Sequence, residues 1–384
     1  MYFDLHYYFK VIAFVYAEKG FKGRSRILFR LLVLVPLNYL FNAVFFLLDY
    51  VFFPKLWSQK VEKPVFIVGH ARSGTTLMHR LMAADGDRFS FFLYWEMFFP
   101  SLLQKKILKG LGWIDQHWFG SWINGKLKVW DEKTFAPWRH IHEQGLWIPE
   151  EDQFVMRGAF VTQQWSLDLP LIHKVDIFHV DQLSEKRKRR WMRHYKECVK
   201  RQLLLHGGHK THLSKNPVMS GWVNALLETF PDAGIVVMMR DPLQCIPSTL
   251  KLMELTWQGN GWSKSQYQPS LDALANISFD TFRLPKIALQ ENGCERSAIV
   301  DYRLLTSAPR AEVKAIYTAL NLEMSETFEA HLEAIESKEK KHSSHFEYNF
   351  DDYNISREKL ELELAEFYQE YQWPRQSDQQ EQTQ

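Results

Sequence analysis

The chain has 384 residues, 46% hydrophobic and 24% charged, a balance that excludes a disordered or fibrous chain and allows a sizeable core. Lys plus Arg number 47 against 45 for Asp plus Glu, so the net charge of +2 gives no broad basic surface for nucleic acid, and any anion site must be local. Cys198, Cys245 and Cys294 are far apart and outside metal-ligand spacing, which argues against a disulfide framework or a zinc site and favours a reducing, cytoplasmic compartment over an organelle lumen.

Residues 1–60 read as an apolar helical appendage. The run ILFRLLVLVPLNYLFNAVFFLLDYVFF, residues 27–53, is long enough to cross a bilayer and follows the basic cluster Lys19, Lys22, Arg24, Arg26 and Arg30. Asn38, Asn42 and Asp49 speak against a span, because polar groups are costly in hydrocarbon, and Pro36 is expected to break the helix. Two readings remain ahead of a true span: a helical hairpin lying on a membrane surface, or ordinary helices covering the core. From Lys63 the pattern becomes strand (Val65 to Val68), glycine-bounded loop (Gly69 to Gly74) and helix (Thr75 to Ala84), the opening unit of a parallel sheet. Further strands are expected at Phe89 to Tyr94, Thr211 to Ser214, Ile235 to Met239 and Ala298 to Tyr302, and helices at 184–205 and 354–372. The fold expected is α/β: a P-loop-type central parallel sheet flanked by helices over residues 61–373, with the helical N-terminal appendage and a disordered tail at 374–384.

GHARSGTT, Gly69 to Thr76, sits where a phosphate-cradling loop must, after a hydrophobic strand and before a helix whose N-terminus favours an anion. Gly69 and Gly74 keep the four-residue gap of a Walker A loop. Thr75, however, replaces the lysine that such a loop needs for a nucleoside triphosphate. Arg72 supplies a fixed guanidinium instead, and Ser73, Thr75 and Thr76 supply hydroxyls, a set suited to a terminal phosphate or sulfate. The bland alternative is a strand-to-helix turn with no ligand.

PVFIVGHARSGTTLMHRLM resembles the 5′-phosphosulfate loop of sulfotransferases that use 3′-phosphoadenylyl sulfate (PAPS), in the Arg-Ser-Gly-Thr-Thr version of tyrosylprotein sulfotransferases and bacterial relatives. KNPVMSGWVNALLETFPDAGIVVMMRDPLQCIPSTL, residues 215–250, is similar to the family's Lys-Asp-Pro element, Phe-Pro turn and 3′-phosphate strand, loop and helix, in that order. The resemblance runs from about Pro64 to about Tyr353 and implies PAPS as co-substrate with no metal. It implies that Arg240 and Ser248 bind the 3′-phosphate, that Tyr302 in IVDYRLLTS lies on the family's late nucleotide-side element, and that Lys215 stabilises the transition state. Asn216 stands where the family often has Asp, SKEKKHSSHFEY is a loose match to the last motif, and residues 1–60 match no catalytic element.

An acceptor hydroxyl must lose its proton to a base. Glu96 in FFLYWEMFFP follows the loop at a distance similar to the catalytic Glu of tyrosylprotein sulfotransferases and is the first candidate; Glu150, Glu151, Asp152, His209 and His212 are the others. Trp95, Phe98, Phe99, Trp113, Trp118, Trp122, Trp130, Trp138 and Trp147 are expected either to line an acceptor cleft or to pack the core. With the apolar N-terminus they point to a small-molecule or lipid acceptor and a membrane surface as partners, and to no nucleic acid. Two rival readings are an ATP-dependent P-loop kinase and an inactive, membrane-associated PAP-binding protein.

Overall fold

The structure is a computed structural model that describes residues 1–136, 139, 144–339 and 356–374. Trp138, most of SKEKKHSSHFEY and the tail from 375 lie outside the described residues. In chain order the principal elements are α1 (Leu5–Ala17), α2 (Arg24–Phe52), β1 (Val65–Gly69), α3 (Thr75–Ala83), β2 (Phe89–Ser90), α4 (Leu102–Trp118), α5 (Trp122–Phe135) and α6 (Glu185–Leu205). They continue with β3 (Thr211–Lys215), α7 (Val223–Thr229), β4 (Gly234–Met239), α8 (Pro242–Gly259), α9 (Lys264–Glu291), β5 (Ser297–Asp301), α10 (Pro309–Ala319), α11 (Glu326–Glu339), α12 (Arg357–Glu363) and α13 (Ala365–Tyr371).

The five strands form one parallel sheet in the order β2-β3-β1-β4-β5, with Ile67 opposite Lys215 and Gly69 opposite Met238. β1 and β4 are buried along their whole length, because helices cover both faces of a parallel sheet. Alternate side chains serve opposite layers. Phe66, Val68, Ile235 and Val237 join the larger core with α1, α6, α8 and α9, whereas Val65, Ile67, Val236 and Met238 pack on α3, α10 and α11. β2 is shorter than expected: it pairs only through Phe89 and Ser90, and Tyr94–Phe98 forms a 3₁₀ turn. β5 stops at Asp301, whose carboxylate accepts the Arg303 N–H and starts a helix at Tyr302.

The N-terminal segment departs most from expectation. Pro36 does not break the helix, so there is no hairpin; α2 runs unbroken from Arg24 to Phe52. The turn before it, Arg30–Leu34, is π-wound, and the Val35 N–H reaches back to the Arg30 carbonyl, which makes room for a residue with no N–H. The apolar helical segment itself is present, and α1 packs as an ordinary helix covering the core. Tyr7, Val11, Phe14 and Val15 lie in the larger core, and buried Asp4 accepts hydrogen bonds from Arg187 and from the Trp191 indole. Buried Asp49 pairs with buried Arg201 at 2.7 Å and accepts from Ser101 Oγ and the Leu102 and Leu103 N–H groups, stabilising the positive N-terminus of α4.

Candidate active site

The β1–α3 loop turns on two glycines with positive φ. Gly69 has φ +126°, and a Cβ there would meet the Met238 carbonyl at 2.4 Å; Gly74 has φ +92°, and a Cβ there would meet the Tyr302 ring at 2.4 Å. Only glycine fits either position. Arg72, at φ 70°, takes a left-handed backbone despite its side chain. Its Nε donates to Ser248 Oγ at 3.3 Å, while Arg240 donates from Nη1 to the Arg72 carbonyl at 2.8 Å and lies 4.3 Å over the Tyr302 ring. The parallel register that puts Gly69 beside Met238 therefore delivers the Arg240 strand end to the loop. Ser73 Oγ is buried at the same turn and has no partner among the described residues.

A cavity of about 720 Å³ opens beside this loop. It is lined by Arg72, Gly74, Thr75, Thr76, Arg240 and Tyr302, by the carboxylates Glu150 and Glu151, and by the apolar Leu167, Ile172, Ile177, Leu252, Met253 and Ile277. His70 also faces it. Burial pushes that imidazole down to about 4, so it is neutral at pH 7, with Nε2 3.0 Å from Ser278 Oγ. Thr249 was not singled out from sequence; it reaches the Ala71 carbonyl from α8, one helical position after Ser248.

Lys215 lies at the end of β3, 1% exposed, with Nζ 3.2 Å from both Glu150 Oε1 and Glu151 Oε1. Burial by itself would lower its pKa, but the two carboxylates outweigh burial and hold it above the ordinary lysine value. Asp152 fixes this arrangement from behind. Its Oδ1 accepts from Ser214 Oγ at 2.8 Å and Asn216 Nδ2 at 2.7 Å; its Oδ2 takes the Tyr195 hydroxyl, and His212 Nε2 lies 2.8 Å away. Asn216 thereby has a physical reason to depart from Asp: an amide can donate to Asp152, whereas a second buried carboxylate would repel it.

Glu96 lies elsewhere, fully buried, and does not line the cavity. Its Oε2 accepts from the Leu93 N–H at 3.0 Å and from Gln202 Nε2 at 2.7 Å, and Gln202 in turn accepts from buried Lys105 at 2.6 Å. It ties the Tyr94–Phe98 turn to α6 and α4. The aromatic run around it hides the acid in a structural network, and the spacing from the loop that suggested a base does not bring it to the cavity. His209 is exposed in the loop before β3 and His212 is held by Asp152, and neither lines the cavity. Of the tryptophans expected to line a cleft or pack the core, Trp113, Trp118, Trp122, Trp130 and Trp147 do neither: they are exposed and none lines the cavity, while Trp95 is half-buried and also away from it.

A sequence profile described as the Sulfotransferase family matches residues 64–326. Omega-hydroxy-beta-dihydromenaquinone-9 sulfotransferase Stf3 of Mycobacterium bovis is 25% identical over 269 residues, covering 68% of this chain and 63% of its own, and the protein of that name from Mycobacterium tuberculosis matches equally. The match thus spans less than two thirds of the length of those curated relatives. In fold, the chain superposes on sulfotransferase STF9 of Mycobacterium avium with a TM-score of 0.73 at 19% identity, covering 97% of this chain and 93% of that one. Sulfotransferase STF1 of Mycobacterium tuberculosis H37Rv follows with a TM-score of 0.65 at 17% identity and coverages of 94% and 92%.

Proposed function

The chain belongs to the sulfotransferase family, and from that premise we propose that it moves a sulfuryl group from PAPS to a hydroxyl or amine of a hydrophobic acceptor, a lipid-like alcohol foremost. The observation that carries this reading is the convergence of Arg72, Arg240, Ser248 and Tyr302 on one glycine-bounded loop, beside a lysine held between two cavity-facing carboxylates. An anion cradle with two guanidiniums and a buried Ser73 hydroxyl without a partner among the described residues suits a nucleotide carrying a phosphosulfate and a 3′-phosphate.

When bound, PAPS supplies the activated sulfuryl group; what the protein must do is position, neutralise charge and move one proton. In this proposal Ser73, Gly74, Thr75, Thr76 and Arg72 hold the phosphosulfate, and Arg240 and Ser248 hold the 3′-phosphate. Lys215, kept cationic by its neighbours, offsets negative charge that grows on the leaving oxygen. The proton of the acceptor hydroxyl goes to Glu150 or Glu151, the carboxylates on the cavity wall, in place of Glu96. The aliphatic wall and the curated relatives named for an omega-hydroxylated dihydromenaquinone both favour an apolar alcohol. α2, with its apolar residues outside, serves in this reading as an element lying on a membrane surface.

The reading is tested by incubating the protein with PAPS carrying radioactive sulfur and a panel of long-chain and isoprenoid alcohols, then counting the solvent-extractable label. Transfer to at least one alcohol, lost in Lys215→Ala, is expected. Label that stays in PAPS across the panel, despite tight PAP binding, would leave a binding protein without the reaction.

A further inference from the structure

α2 wears its sequence inside out. Asn42, Phe46 and Asp49 are buried against α4 and α6, while Leu37, Leu40, Phe41, Val44, Leu47 and Val51 face outward. The inward polar groups are spoken for, Asn42 by Gln104 Nε2 at 2.7 Å and Asp49 by Arg201. These bonds hold α2 along the catalytic domain, a position incompatible with a free transmembrane span. They also join α2 to α4, which continues the exposed apolar surface into the α4–α5 hairpin.

That hairpin carries Trp113, Trp118, Trp122 and Trp130 on its surface, Trp118 at 77% exposure and Trp122 at 62%. Its charges are sorted by sign. Asp115 and Asp131 are buried, Asp115 accepting the Ile123 and Asn124 N–H groups and Asp131 the Leu146 N–H and Arg139. Lys106, Lys109, Lys126, Lys128 and Lys133 are exposed, opposed on the hairpin surface only by Glu132. Lys126 Nζ sits 3.8 Å above the Trp122 ring.

We infer that the α4–α5 hairpin, together with the outer face of α2, docks on a bilayer bearing anionic headgroups. Composition favours a bilayer over a protein partner. Protein interfaces enrich aromatics but deplete lysine at their cores, whereas lipid interfaces take tryptophan at headgroup level with lysine reaching the phosphates. The sign of the exposed charge matches anionic lipid. At its other end α2 places Arg30 over the Trp165 ring and 3.0 Å from Asp168, against the segment whose Ser166 and Leu167 line the cavity. The docking surface and the apolar cavity wall are therefore neighbours. The inference extends the surface-lying reading of α2 and does not depend on the sulfuryl-transfer reading.

Flotation of the full chain with vesicles of phosphatidylcholine, alone or mixed with phosphatidylglycerol, tests it, with melting curves confirming that each variant folds. Trp118→Ser/Trp122→Ser should weaken vesicle binding by about tenfold or more. Lys126→Glu/Lys128→Glu should weaken binding to the anionic vesicles alone, most at low salt. If both variants float like the parent while Leu40→Glu/Leu47→Glu does not, α2 acts without the hairpin and the inference fails. It fails equally if the parent ignores both vesicles and sediments as a dimer that Trp118→Ser/Trp122→Ser dissociates, because the occupant is then a second copy.

Discussion

Two buried ion pairs, alike in burial, have opposite surroundings. Lys215 sits behind Glu150 and Glu151, the two acids that line the cavity. Arg201 with Asp49 is sealed between α2, α4 and α6, with Nη2 donating to the Phe46 carbonyl and Nη1 to Glu197. A buried charge is expensive in both places, so burial alone does not mark a reacting centre. What separates the pairs is which groups a ligand can touch, and the separation predicts different losses when each is cut.

The largest effect is expected at the cavity. Lys215→Ala should lower kcat by about 10²- to 10³-fold, and Gln at whichever of Glu150 and Glu151 is the base by about 10²- to 10⁴-fold, with PAP binding retained. Steady-state rates beside PAP titrations check this split. Glu96→Gln should keep near-normal kcat; a collapse there with an intact melting curve would return the base to Glu96. At the sealed pair the loss should appear as stability: Asp49→Ala strands Arg201 and should cost about 3–5 kcal/mol in denaturant unfolding, while the folded fraction keeps its rate.

The smallest effect distinguishes the two sides by pH. Burial holds His70 at about 4, and His79 and His194 at about 3, against an ordinary 6.5. The unfolded chain therefore takes up protons first as pH falls: the stability these groups give is present above 6.5 and is lost on the way down to 3–4. At pH 5 each can cost up to about 2 kcal/mol. His194 lies on the sealed side, near Phe46, and neither ring nitrogen has a hydrogen-bond partner among the described residues. Melting temperatures from pH 7 to 5 should fall less steeply in His194→Leu than in the parent; an unchanged slope would rule out His194 as a contributor.

The same contrast explains what was legible in the sequence. The glycine-bounded loop is legible because its pattern is contiguous: a strand, two glycines, Arg72 and a helix start occupy one stretch, and parallel register then fixes where Arg240 arrives. The carboxylate wall is not, because Glu150 and Glu151 meet Lys215 across a separation in chain that no local period encodes. The local signal for it is EED in IPEEDQF, a short acidic run that as often marks a solvated surface, whereas Glu96 matches the family's spacing from the loop. Pro36 misled because a π turn can absorb it. The tryptophans of α4 and α5 misled because an exposed apolar face and a core face share one helical pattern.

Whether the loop and the Arg240 strand end form a PAPS site is read out by calorimetric titration of PAP against ATP, each with and without EDTA. PAP should bind equally well with EDTA, ATP should bind weakly, and Arg240→Ala should weaken PAP by about ten- to a hundredfold, the worth of a charge-assisted contact of ~1.5–3 kcal/mol. Metal-dependent ATP binding, or PAP affinity indifferent to Arg240→Ala, would contradict a PAPS site there.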